Sequence, residues 1–218
     1  MSCRIVVLIS GSGSNLQALI DQLDAPAEIV GVIANRPQVL GLQRATTAGI
    51  ANECLDHRDF ISREAFDQAL VERIDSYQPD LVVLAGFMRI LTPELVRHYH
   101  GRMLNIHPSL LPKYKGLHTH KRALEAGDAE HGATIHFVTE ELDGGPLIVQ
   151  GRLDVRADDS ADALAARVQQ IEHRLYPLVV DWFARGRLCL TPQGAQLDGE
   201  LIASGGLRME DHSQPSEA

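Results

Sequence analysis

Residues 5–9 read Ile-Val-Val-Leu-Ile, and Gly11-Ser12-Gly13-Ser14-Asn15 follows almost at once. An unbroken apolar run of this length suits a strand buried on both faces, as in parallel sheets. Parallel strands need long crossovers, so helices must alternate with strands along the chain. The first half has this alternation. Leu16, Leu19, Ile20 and Leu23 repeat at helical spacing, residues 28–34 form a second strand stopped by Asn35-Arg36-Pro37, and residues 39–49 read as a helix ended by Gly49. Residues 50–55 give a short third strand. Ser62 is an N-cap signal for a helix to about Tyr77, with Ala65, Phe66, Ala69, Leu70 and Ile74 on one face. Residues 81–85 predict a fourth strand, Thr92-Pro93 the start of a short helix, and residues 102–106 a fifth strand.

The second half changes character. Residues 133–139 and 147–153 are alternating or apolar runs around a hairpin-like loop, Glu140 to Pro146, so antiparallel strands join the sheet. Residues 160–184 predict one long helix with a kink at Pro177. The polar stretch 210–218 reads as a disordered tail. The fold class is therefore α/β: an open, mostly parallel Rossmann-like sheet with helices on both faces and added antiparallel strands in the C-terminal half.

Composition narrows the partners. With 44% hydrophobic residues against 22% charged, the chain has enough apolar surface for a sizeable core. A net charge of −9 argues against general nucleic-acid binding, while leaving room for a local anion pocket. No apolar run approaches the length of a transmembrane helix, and the N-terminal one is too short for a signal peptide. Cys3, Cys54 and Cys189 are far apart and odd in number, which reads as reduced thiols in a cytoplasmic protein.

Three segments carry chemistry. The glycine bend before the first helix can cradle a phosphate-sized anion on backbone amides, with Ser14 and Asn15 adding donors. It is not a dinucleotide fingerprint, because Leu16 stands where a third glycine is needed and Asn35 where an acid is wanted. A tight turn with Ser14 as helix cap fits the same residues. The second segment is Asn105-Ile106-His107-Pro108-Ser109, where alternation puts Asn105 and His107 on one face at a strand's carboxyl end. A donor amide beside a proton-exchanging imidazole fits acyl transfer; a satisfied core Asn and a turn-capping His fit as well. The third is Asp143 before Gly144-Gly145. Near His107 its carboxylate would orient the imidazole and favour its charged form; elsewhere it is a turn residue. No nucleophile motif is present, which favours direct transfer over a covalent acyl-enzyme. His118 and His120 make a weak metal pair, and His98, His100, His131, His136 and His173 read as surface or packing residues. Gln169 and Glu172 share a helix face that reads first as merely polar.

Taken together, VVLISGSGSNLQALI, SREAFD, VVLAGFMRIL, LNIHPSLLPKYKGLHTH, HGATIHFVTEELDGGP and RLYPLV resemble the folate-dependent phosphoribosylglycinamide formyltransferases of purine synthesis. The likeness runs from residue 5 to about 190. It implies formyl transfer from 10-formyltetrahydrofolate, a cosubstrate, to the amine of 5-phosphoribosylglycinamide through a tetrahedral intermediate, with no metal. It implies Asn105, His107 and Asp143 as the catalytic set, and Gly13, Ser14, Asn15, Gln169 and Glu172 as contacts of the phosphoribosyl substrate. The folate would meet Arg63, Met88, Arg89, Ile90 and Leu91, together with Asn105 and the loop Thr139, Glu140, Glu141, Leu142, Asp143. Residues 1–209 would form one domain, about 1–100 holding phosphate and about 101–209 carrying catalysis and the folate site. The expected partners are small molecules, neither nucleic acid nor membrane, in a monomer or homodimer. Ser12 departs from the Asn of some family members, which matters little if backbone amides hold the ligand.

Related chemistries are expected to differ in architecture. Formyltetrahydrofolate deformylases usually add an N-terminal domain, for which a first strand at residue 4 leaves no room. Methionyl-tRNA formyltransferases add a C-terminal nucleic-acid-binding barrel. A catalytically silent phosphate-binding module would not need the Asn105, His107 and Asp143 set.

Overall fold

A computed structural model describes residues 2–210. The order is β1 (Cys3–Ile9), α1 (Ser14–Gln22), β2 (Ala27–Ala34), α2 (Leu40–Thr47), β3 (Asn52–Cys54), α3 (Arg63–Ser76), β4 (Leu81–Leu84), α4 (Pro93–His98) and β5 (Met103–His107). Then follow α5 (Thr119–Ala126), β6 (Glu130–Phe137), β7 (Leu147–Asp154), α6 (Ala161–Ala184), β8 (Leu188–Thr191), β9 (Gly194–Leu197), β10 (Glu200–Leu201) and β11 (Leu207–Glu210). The main sheet has the strand order β11-β7-β6-β5-β4-β1-β2-β3. Strands β1 to β5 run parallel, β6 is antiparallel to β5, and β7 is antiparallel to β6. The chain moves one way from β1 to β3 and the other way through β4 and β5, so β1 and β4 flank a switch point where ligands commonly bind.

Strand alternation divides the core in two. Ile5, Val7 and Ile9 point with Leu81 and Val83 into the layer under α1, α2 and α6, while Val6, Leu8, Val82 and Leu84 point into the layer under α3 and α4. This explains the continuous apolar run of β1: neither face meets water. Strand β5 keeps Leu104 and Ile106 on the α6 side. On the other side only Met103 is apolar, and Asn105 and His107 replace the oil.

Helix α6 runs unbroken through Pro177. Proline has no N–H for the carbonyl four residues earlier, that of His173, and Gln22 Nε2 of α1 donates to this oxygen instead at 3.0 Å. Tyr176 is fully buried beside it, and its hydroxyl donates to the carbonyls of Leu84 and Leu104 at 2.9 and 3.1 Å.

Several elements differ from the sequence expectations. Strand β3 covers only three residues, α5 has no counterpart among the expected elements, and β8, β9 and β10 form a small separate antiparallel sheet. Glu210, expected to begin the tail, ends β11, which pairs parallel with β7 and extends the main sheet. A four-residue strand after Gly205-Gly206 is too short to show a period. The rest of the expected tail, 211–218, lies outside the described residues.

Candidate active site

The glycine bend lies where β1 leaves the sheet. Gly13 adopts φ 68° as the N-cap of α1, with no side chain capping the helix, so Ser14 is the first helical residue and not the cap. A Cβ on Gly13 would collide with Cα of Gly41 at the start of α2, so the bend requires glycine for space as well as for φ. Gly41 N donates to Gly11 O at 3.1 Å, and Arg44 Nε to Ser12 O at 2.9 Å. The uncapped first-turn amides of α1 present a positive helix end. Helix α6 closes the other side: Gln169 Nε2 donates to Ser14 Oγ and Asn15 Nδ2 to Glu172 Oε2, each at 2.9 Å. The Glu172 carboxyl is buried, and burial pushes it up to about 7 against the opposing pull of the Asn15 hydrogen bond.

On the other side of β4, Asn105 and His107 point from β5 to the same face, opposite His136 and Thr134 of β6. Asn105 Nδ2 lies 3.1 Å from His136 Nε2, and His136 Nδ1 lies 2.9 Å from the carbonyl of Phe137. A carbonyl only accepts, so His136 carries its proton on Nδ1 and accepts from Asn105 on Nε2. Burial holds the His136 imidazole down towards its neutral form. One amide proton of Asn105 is thereby committed to His136.

His107 Nε2 donates to the carbonyl of Tyr114 at 2.9 Å, by the same reasoning. Its Nδ1 lies 3.5 Å from Asp143 Oδ2, and both side chains are 8% exposed. This contact is slightly longer than a hydrogen bond, and it is an ion pair only when the imidazole is protonated. Asp143 has φ 48°, and its Oδ2 also accepts from Gly116 N at 2.8 Å. The glycine bend after β1 and His107 at the end of β5 are separated by two strand spacings, about 10 Å, at one end of the sheet.

A formyl transferase family profile matches residues 3–180. A phosphoribosylglycinamide formyltransferase of Escherichia coli (strain K12) is 55% identical over 211 residues, 95% of this chain and all of that one. The chain belongs to the phosphoribosylglycinamide formyltransferases. One from Haemophilus influenzae is 45% identical over 95% of this chain and 99% of its own. The solved structure of one from Coxiella burnetii superposes with a TM-score of 0.92 at 50% identity, over 96% of this chain and 100% of that one.

Within the family fold, the segment Met88 to Leu91 occupies the turn between β4 and α4, with Met88 and Ile90 exposed at 61% and 57%. It is pinned at both ends by residues that sequence reasoning missed. Ser10 Oγ donates to Asn35 Oδ1 at 2.6 Å and accepts from Met88 N at 2.7 Å. The buried Asp67 Oδ2 accepts from Thr92 N at 2.6 Å. Arg89 lies 5.6 Å over the ring of Phe66. The loop after β6 meets α4 and the β5–α5 loop: Glu140 accepts from Arg97 Nε at 2.9 Å, Glu141 pairs with Lys115 at 2.7 Å, and Leu142 is exposed. Thr139 opens the loop half-buried. Arg63 stands apart in the first turn of α3, 3.6 Å from Glu64, and its charge is felt at Asp67.

Among the remaining histidines, His98 and His100 are exposed and His131 and His136 buried, in line with a reading as surface or packing residues. His118 precedes α5 at φ 59°, and His120 Nδ1 lies 3.1 Å from His131 Nε2. His98, read as a surface residue, pairs with Asp75 at 2.9 Å. His136 is the residue that packing arguments undervalued. The available signal was alternation: an imidazole on the polar side of β6 falls opposite Asn105 once β6 pairs with β5.

Proposed function

We propose direct transfer of the formyl group from N10 of 10-formyltetrahydrofolate to the amine of 5-phosphoribosylglycinamide. Binding both substrates side by side makes a bimolecular step effectively unimolecular. The first-turn amides of α1, with Gly13, Ser14 and Asn15, take the 5-phosphate, and Gln169 and Glu172 meet the ribosyl part. Met88, Ile90 and Leu142 offer an apolar rim for a flat pterin, with Arg63 and Arg89 as cations for acidic groups. The chain's halves, about 1–100 and about 101–209, act as one unit with α6 reaching back to the glycine bend.

As the amine attacks, negative charge grows on the formyl oxygen. The uncommitted amide proton of Asn105 and a protonated His107 Nδ1 hold it in this reading. Asp143 sustains that imidazolium and relays a proton between the attacking amine and N10. No nucleophilic side chain takes part: the Ser109 hydroxyl is buried and donates to the Lys113 carbonyl at 2.6 Å.

The convergence of Asn105, His107 and Asp143 from a strand and a distant loop carries this reading. The test follows the absorbance of a 10-formylfolate with and without 5-phosphoribosylglycinamide. The expected result is turnover only with the acceptor present. Turnover without it would make the chain a hydrolase, and none in either case a binding module.

A further inference from the structure

The loop joining β5 to α5 contains a residue in an unusual state. Tyr114 adopts φ 56°, a region that bulky side chains avoid unless their surroundings enforce it. Its own contacts supply the enforcement. The phenol donates to Asp128 Oδ2 at 2.7 Å, and Lys113 Nζ donates to the other oxygen of the same carboxylate at 2.8 Å. The Arg122 guanidinium lies 5.1 Å over the ring and donates to the carbonyl of Lys115 at 2.8 Å. The residue is therefore fixed from its phenol end and across its ring. Its backbone carbonyl is the group that His107 Nε2 meets.

A carbonyl can only accept. While it stands at 2.9 Å from Nε2, the neutral imidazole carries its proton there and leaves Nδ1 as the lone pair facing Asp143. Were the carbonyl to swing away, nothing at Nε2 would choose between the two tautomers, and the ring would be free to turn. We infer that Asp128, acting through the phenol of Tyr114, is a positioning residue that fixes the tautomer and orientation of His107. The hydrogen bonds from Lys113 and Tyr114 hold the Asp128 carboxyl below the usual range, so it remains an ionised acceptor at neutral pH. Asp128 touches neither substrate in this scheme, and the inference rests on assigning His107 to the reaction.

The test uses the full chain and two variants, Tyr114→Phe and Asp128→Ala. Imidazole nitrogen NMR, followed upward in pH until the His107 signal stops moving, reports the tautomer of the neutral ring, with the signal assigned from a His107→Gln chain. The expected parent spectrum shows the Nε2-protonated form alone. Both variants should show a substantial Nδ1-protonated fraction and a roughly tenfold fall in kcat, with KM for either substrate within about twofold; tenfold is the lower end of what loss of positioning costs. A parent His107 protonated on Nδ1 overturns the inference even if neither variant folds. So does a folded variant that keeps the parental tautomer, or one that loses activity only through KM. Full turnover by the His107→Gln chain would instead remove the reading of the site, which separates the two failures.

Discussion

The two walls of the candidate site are made in different ways. Asn105, Asn15 and Glu172 stand on a strand and two helices, and Tyr176 ties α6 to β4 and β5. The opposite wall, residues 109–118 and 139–145, is largely irregular and holds its shape by side chains grasping backbone. Tyr114, Gly116, His118 and Asp143 all have positive φ there, between 48° and 77°. The first wall is expected to keep its geometry when substrates bind. The second depends on a few contacts, and segments held in that way tend to open before packed strands and helices. His107 joins them, with its backbone in the first wall and both ring nitrogens facing the second.

The largest expected effect lies in the fixed wall. Asn105→Ala removes a donor without touching either loop, and should lower kcat by about 10²–10³-fold, near 3–4 kcal/mol of barrier. Steady-state kinetics on a variant with parental circular dichroism checks this. Parental turnover would mean that the donor to the formyl oxygen comes from elsewhere, and the division between walls would lose its catalytic meaning.

Acid should act next on the support of the other wall, where the Tyr114 ring lies 6.4 Å from that of His131. His131 at the start of β6 is buried against His120 of α5, and burial with the neighbouring charge of His120 pulls its pKa down to about 4; Asp128 opposes this and His107 adds to it. The unfolded chain then binds a proton that the folded one refuses. Stability is therefore full above about pH 7 and declines as pH falls from about 6.5 to about 4, by about 2–3 kcal/mol in total. Urea unfolding across that window should show the slope, and His131→Gln should flatten it. An unchanged slope would place the acid sensitivity outside this wall.

Much of the fixed wall was legible in the sequence because its residues obey periods. The apolar run of β1, the Ser62 cap of α3 and the shared face of Asn105 and His107 each follow from spacing along a single element. What escaped depends on pairing between elements. His136 gains its role only through the register of β6 against β5, and Ser10 and Asn35 act by bridging β1, β2 and the β4–α4 turn. Helix α5 lacks a capping side chain at its start, so it gave no start signal. Asp143 was readable as an acid in a glycine loop, but its distance from His107 was not.

A smaller effect tests how far the fixed wall depends on Tyr176. Tyr176→Phe keeps the ring and strips the hydroxyl from the carbonyls of Leu84 and Leu104. Leaving buried acceptors unpaired should cost about 1–2 kcal/mol, read as a lower urea midpoint with an unchanged m-value. An unshifted midpoint would mean that water replaces the hydroxyl and that the wall is less dry than its burial suggests.

The smallest effect separates loop order from global stability. Lys115 and Glu141 form an exposed ion pair at 2.7 Å that bridges the two loops of the second wall. Exposed pairs are worth about 0–1 kcal/mol, because water and salt screen them and two long side chains lose freedom. Lys115→Ala should therefore leave the melting temperature within about 2 °C of the parent. Its consequence should be local: faster hydrogen exchange in amides of 113–118 and 139–145, with those of β1 and β4 unchanged. The parent in about 1 M salt should approach the variant's exchange rates, since the Debye length there, about 3 Å, is close to the separation of the charges. Exchange that quickens across the central strands as well would show the two walls opening together, and the contrast between them would fail.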